Sequence, residues 1–206
     1  MNLSRVFALS LALLPLPVLA QDNQLYEDPA DPAAAFVRIV APGETLAVVG
    51  ANTFDDVQGG VTPYVMVSAG PISVAVGDLV SKADIPPTSF QSFVVGTDGT
   101  LHLVQDMIIN SPAKADLVFY NLSDLPMVDL FVPSVDALAL EDIAQNTSRQ
   151  VTLKAPLTLG FEVRDGKTVL AALPEIEMRR RAGVTVVFSG KAGAYSAFST
   201  ENLYAK

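Results

Sequence analysis

The sequence predicts an all-β protein made of two tandem β-sandwiches, of jelly-roll or immunoglobulin-like wiring, and three observations carry that prediction. Short runs rich in Val, Ile, Phe and Tyr recur along the chain, each bounded by Gly, Pro, Asn or Asp. In several of them large and small residues alternate, as in Ile72-Ser73-Val74-Ala75-Val76, the two-residue period of a strand covering a core on one side. The third observation is internal likeness. Val65 to Val76 aligns with Val151 to Phe161 after one gap, Phe36 to Val40 with Leu117 to Asn121, and Phe93-Val94-Val95-Gly96 with Val186 to Gly190. Both members of the last match are followed by a turn pair, Asp98-Gly99 and Ala192-Gly193.

Taken in chain order, the first twenty residues read as a secretory leader. Arg5 supplies the positive end, Val6 to Leu14 is almost continuously apolar, and Pro15 and Pro17 stop any helix. Val18-Leu19-Ala20 suits a signal peptidase, so cleavage is expected after Ala20 and the mature protein in the periplasm. The apolar run is too short for roughly 30 Å of hydrocarbon. Residues 21–35, with Pro29 and Pro32, are expected as an extended arm.

The first sandwich is placed at 36–110, with strands at 36–40, 46–49, 64–68, 71–76, 90–95 and 101–109. The second is placed at 111–206, with strands at 116–121, 127–132, 149–154, 157–163, 168–173, 184–189 and 194–198. Asn110-Ser111-Pro112-Ala113-Lys114 marks the join, because proline ends the preceding run there. Thr97-Asp98-Gly99-Thr100 and Arg164-Asp165-Gly166-Lys167 read as hairpin turns, since Asp-Gly accepts the positive φ that a tight turn demands. Val135 to Ala144 offers the one weak helical signal, a turn or two.

Composition closes off much chemistry. Half of the 206 residues are hydrophobic, ample for a packed core. The absence of Cys removes disulfides, thiolate catalysis and Cys-ligated metals, so core packing alone must hold the exported chain together. A single His leaves one candidate for a Ser-His-Asp arrangement and none for a His-rich metal site. The net charge of −9 argues against nucleic acid as a partner. That charge is uneven: residues 21–110 hold only Arg38 and Lys82 against eleven acidic residues, whereas 111–206 hold ten basic and eleven acidic ones. An acidic first half would dock a basic partner.

Four constellations bear on chemistry. His102, in Leu101-His102-Leu103, falls on the solvent side of its strand by alternation. Ser111-Pro112-Ala113-Lys114 matches the S-x-x-K pattern of penicillin-recognising enzymes, but proline follows the serine and the partner motifs are missing. Asp55-Asp56 lacks the spacing of a calcium loop and reads as a turn. Arg179-Arg180-Arg181, the one basic cluster, suits either a charged strand edge or contact with carboxylates of a polymer or partner. Asn121-Leu122-Ser123 and Asn146-Thr147-Ser148 would be glycosylated only on a eukaryotic secretory route. No catalytic residue, cofactor or metal ligand is assigned.

Leu25-Tyr26-Glu27-Asp28-Pro29 running into Ala35-Phe36-Val37-Arg38-Ile39, then Ala115 to Ser123, and finally Ala197-Phe198-Ser199-Thr200-Glu201 span the mature chain. In these stretches it resembles the AlgF family of alginate O-acetylation proteins. These motifs are strands and turns rather than catalytic signatures. The resemblance implies a non-catalytic periplasmic adaptor for adding acetyl groups to mannuronate in an exopolysaccharide. Its implied partners are a membrane-bound O-acyltransferase and periplasmic acetyltransferases. A carbohydrate-binding module for an anionic polysaccharide, using the arginine triplet, is the alternative.

Overall fold

The computed structural model describes residues 31–205. The leader and all but the end of the expected arm lie outside the described residues. Sixteen strands account for nearly all regular structure, and they fall into two sets of eight. The first set is β1 (Ala35–Val40), β2 (Ala47–Val49), β3 (Asn52–Phe54), β4 (Val65–Val67), β5 (Gly70–Val76), β6 (Leu79–Ile85), β7 (Phe90–Val95) and β8 (Leu101–Asp106). The second is β9 (Lys114–Ser123), β10 (Met127–Val132), β11 (Ala137–Ala144), β12 (Thr147–Lys154), β13 (Leu157–Asp165), β14 (Thr168–Met178), β15 (Gly183–Lys191) and β16 (Ala194–Glu201). Single 3-10 turns at Gln58–Gly60 and Pro133–Val135 interrupt the connections.

The two sets are wired alike. The first forms sheets of order β4-β1-β7-β8 and β3-β2-β5-β6; the second forms β12-β9-β15-β16 and β11-β10-β13-β14. Adding eight to each strand number of the first set reproduces the second. The internal likeness in the sequence falls on equivalent elements: β1 with β9, β4–β5 with β12–β13, and the β7–β8 turn with the β15–β16 turn. One pairing in each half is parallel, β1 with β7 and β9 with β15. That parallel pair is not part of an all-antiparallel jelly roll.

Each half closes its two sheets on a shared core. In the first, Val37, Ile39 and Phe93 meet Val49, Val74, Val76 and Ile85. In the second, Leu117, Phe119, Val186 and Phe188 meet Leu130, Phe161, Val163 and Met178. The opposite faces of β1, β7, β9 and β15 are also covered. Val40 and Val94 pack with Val118, Tyr120, Leu122 and Val187, forming a seam between the halves. Strands buried on both faces lose the alternation of a one-sided strand. This explains why Ala115 to Ser123 is buried without a break.

Three strands escape the sequence reading, each for a local reason. β3 is three residues long and exposed, with Asn and Thr in place of apolar residues. β6, Leu79-Val80-Ser81-Lys82-Ala83-Asp84-Ile85, lies at a sheet edge and carries two charges on its exposed side. β11 occupies the weak helical signal, because Ala, Leu and Glu favour a helix in isolation while pairing with β10 decides the outcome. The Thr97–Thr100 and Arg164–Lys167 hairpin turns are present, with Gly99 at φ 73° and Gly166 at φ 57°.

Gly60 is the most constrained glycine. Its φ is +74°, and an added Cβ would stand 2.0 Å from the Ala41 carbonyl oxygen. Gly60→Ala is therefore expected to cost several kcal/mol, beyond the roughly 1–2 kcal/mol of left-handed strain alone. Gly99→Ala, at φ +73° in open space, should cost only that strain. Urea unfolding of the two variants checks the ranking.

Candidate functional site

The richest set of functional side chains lies in the seam, built outward from one arginine. Alternation along β1 sends Val37 and Ile39 into the first core and Arg38 the other way, beside its register partner Ser92 on β7. Arg38 is 1% exposed. Its Nε donates to Ser92 Oγ (3.0 Å), Nη1 to Asn202 Oδ1 (3.1 Å) and Nη2 to the Tyr120 hydroxyl (2.8 Å). The guanidinium carbon lies 4.2 Å from the centroid of the Tyr64 ring.

The compensating charge is Asp106, the last residue of β8, 3.7 Å from Arg38 Nη2. Its carboxylate accepts from Tyr64 (2.7 Å), Ser92 (2.5 Å), Tyr120 (2.6 Å) and Ser148 (3.2 Å). Arg38, Tyr64, Ser92 and Asp106 come from the first half, and Tyr120, Ser148 and Asn202 from the second. Gly183 leaves room for Asn202, since an added Cβ would meet its Nδ2 at 2.3 Å. The chain end crosses back beside the cluster: Tyr64 N–H donates to Leu203 O and Ala205 N–H to Tyr64 O. Tyr204 stacks on Tyr64, and Phe36 and Phe90 complete an aromatic cluster there.

Electrostatics fix the protonation of this cluster. Burial pushes the Tyr64 and Tyr120 hydroxyls well above the ordinary tyrosine value, so both remain donors. Burial also opposes the Arg38 charge, but the Asp106 carboxylate and the hydrogen bond to Tyr120 outweigh it and hold Arg38 above the ordinary arginine value. Ser92 and Asp106 are enclosed with their neighbours, so no substrate atom reaches them in this conformation. The arrangement is an internal clamp.

The residues singled out by sequence lie elsewhere and do not converge. His102 is on β8, with Asp98 and Thr100 of the adjoining turn both 3.1 Å from its Nε2. A triad places acid and nucleophile on opposite ring nitrogens; here one nitrogen meets both, which locks the hairpin turn. The His102 contact, helped by Thr100 N–H, holds the Asp98 carboxyl below the usual carboxylate value. Ser111 precedes the turn at Pro112 and Ala113 and Lys114 opens β9, with Ser111 Oγ accepting from Ala113 N–H. Asp55 and Asp56 lie exposed in the connection after β3.

The arginine triplet follows β14 and divides its contacts. Arg179 pairs with Glu201, Arg180 Nε donates to Ala155 O (2.9 Å), and Arg181 has left-handed backbone at φ 57°. Asn121 of the first sequon is fully buried, and its Nδ2 donates to the carbonyls of Leu125 and Ile143. That amide holds a chain corner and is closed to modification. Sequence reasoning missed the clamp. Its signal was a lone Arg38 inside the apolar run Ala35-Phe36-Val37-Arg38-Ile39-Val40.

Fold and site together define a class: an all-β protein of two like-wired halves, fastened by a buried ionic cluster. Comparison with protein families then identifies the chain. The family described as "Alginate O-acetyl transferase AlgF" matches residues 8–184, and the chain belongs to it. Among solved structures it is similar to the C-terminal domain of AlgF from P. aeruginosa, at 17% identity and a TM-score of 0.39. That match covers 43% of this chain and 98% of the other. Comparison with curated proteins returns no match.

Two measurements test the clamp. Arg38→Met should cost about 3–5 kcal/mol by stranding Asp106, whereas Arg38→Met with Asp106→Leu should recover much of the loss in urea unfolding. The tyrosines set an alkaline limit. Their folded values lie above the unfolded one, so the stability they carry is complete below pH 10.0 and is lost as pH rises beyond it. In an ultraviolet titration Tyr64 and Tyr120 should ionise only as the near-ultraviolet circular dichroism collapses.

Proposed function

We propose that this chain is a non-catalytic periplasmic adaptor for alginate O-acetylation, holding a membrane-bound O-acyltransferase and periplasmic acetyltransferases together around mannuronate. Family membership supports the pathway, and the leader read from residues 1–20 supports the compartment. No helix among the described residues is long and apolar enough to cross a membrane. The observation that carries the adaptor role is the use made of Arg38, Asp106, Ser92 and Tyr120. The groups best suited to acid–base or nucleophilic work are spent on fastening the two halves to each other. What is presented outward is sheet edges, turns and grooves, which suit partner docking.

The two halves, taken at 36–110 and 111–206, are the docking domains in this reading. Arg179, Arg180 and Arg181 are proposed as an accessory contact for a carboxylate-bearing partner or polymer. Calorimetry with a mannuronate oligomer tests the carbohydrate-binding alternative: binding that the triple alanine variant abolishes would promote it over the adaptor reading.

The decisive experiment is acetyl transfer to mannuronate oligomers in a purified system. Omitting this chain should reduce transfer, the chain alone should transfer nothing, and His102→Ala should restore transfer as well as the wild type. Acetyl transfer by this chain alone would overturn the proposal.

A further inference from the structure

We propose that an acidic groove with an apolar floor, running from the first half onto the second, docks an extended basic segment of a partner protein. The proposal rests on the adaptor reading and adds to it a surface and a partner chemistry. The groove has two parts that meet at Thr200. The first, of 300 Å³, is walled by Phe54, Val57, Val61 and Pro63 from one half and Leu203 from beyond β16, with Asp56 as its charge. The second, of 240 Å³, is floored by Ile176 and Val184 and flanked by Glu175, Glu177 and Glu201.

Every charged residue lining either part is acidic. Glu201 is paired with Arg179, while Asp56, Glu175 and Glu177 make no ion pair among the described residues. Carboxylates beside exposed apolar surface, with Leu203 at 54% exposure, suit one kind of side chain. The alkyl stem of Arg or Lys covers apolar wall while its charged head reaches the carboxylate. A row of such sites along the edge strand β16, beside the edge strand β14, fits an extended chain with basic residues spaced among aliphatic ones. The acidic lining also decides against other occupants. A uronate polymer would set its own carboxylates against four of the protein's, and the described residues hold no carboxylate group of metal-binding geometry. Because both halves supply walls of the first part, the two parts join only when the seam is closed.

The test uses the full chain and a labelled synthetic peptide alternating Arg and Val, read by fluorescence anisotropy. Asp56→Lys with Glu177→Lys inverts charge in both parts of the groove. Asp78→Lys with Asp84→Lys makes the same change in net charge on the β5–β6 hairpin, and all four side chains are exposed. The groove pair should weaken binding about tenfold or more, and the hairpin pair at most about twofold. Added salt should weaken wild-type binding. Equal weakening by both pairs would assign binding to overall charge and overturn the proposal, as would unchanged binding by the groove pair. Capture of the pathway's purified acetyltransferase separates the two levels. If the groove pair captures it as well as the wild type does, the groove is wrong and the adaptor reading stands. If the wild type binds the peptide in the groove but captures no acetyltransferase, the groove stands and the adaptor reading fails.

Discussion

The structure depends on a single buried charge pair. Arg38 and Asp106 are both supplied by the first half, yet neither is satisfied by it alone. Tyr120, Ser148 and Asn202 from the second half complete their hydrogen bonds. A buried ion pair is a poor source of net stability, because desolvation consumes most of the attraction. What it enforces is specificity. Any sliding of one seam face over the other would leave a charge in an apolar interior without partners, whereas sliding of Val40 and Val94 over Val118 and Val187 alone would cost little. The apolar residues drive the contact and the clamp selects its register.

The wiring shows why the seam falls where it does. A parallel pair at the centre of the β4-β1-β7-β8 sheet and of the β12-β9-β15-β16 sheet removes the strands most in need of cover from the sheet edges. Each half therefore presents a face of Val, Tyr and Thr that is too apolar for water, and the two equivalent faces cover each other. The duplication is used asymmetrically. Arg38 on β1 and Tyr120 on β9 belong to equivalent strands, so repeated strands have diverged into complementary partners. The same divergence separates an acidic first half from a more balanced second half.

Much of the strand pattern was legible because most strands obey local rules. Ile72 to Val76 alternates, Asp98-Gly99 and Asp165-Gly166 turn, and the likeness between Val65–Val76 and Val151–Phe161 reports the shared wiring. β3, β6 and β11 were not legible, since short, charged or helix-favouring segments are decided by the strand beside them. The clamp was hidden for a different reason. Its members lie far apart in sequence, at positions 38, 64, 92, 106, 120, 148 and 202, and no spacing rule joins them. The residues that stand out in a linear text are His102 and the arginine triplet. Both lie apart from the clamp: His102 meets Asp98 and Thr100 in its own turn, and Arg179 and Arg180 meet Glu201 and Ala155.

The return of the chain to Tyr64 has a kinetic consequence. Arg38 waits for Asn202, a partner 164 positions away, and the backbone around Leu203 and Ala205 ties onto Tyr64 only after β16 has formed. A polypeptide that emerges in order thus completes its first eight strands at Asp106 and holds them, until the second half follows, with one apolar face open and the Arg38–Asp106 pair short of its hydrogen bonds. Such long-range closure makes for slow maturation and a lengthy period of vulnerability to sticking and proteolysis.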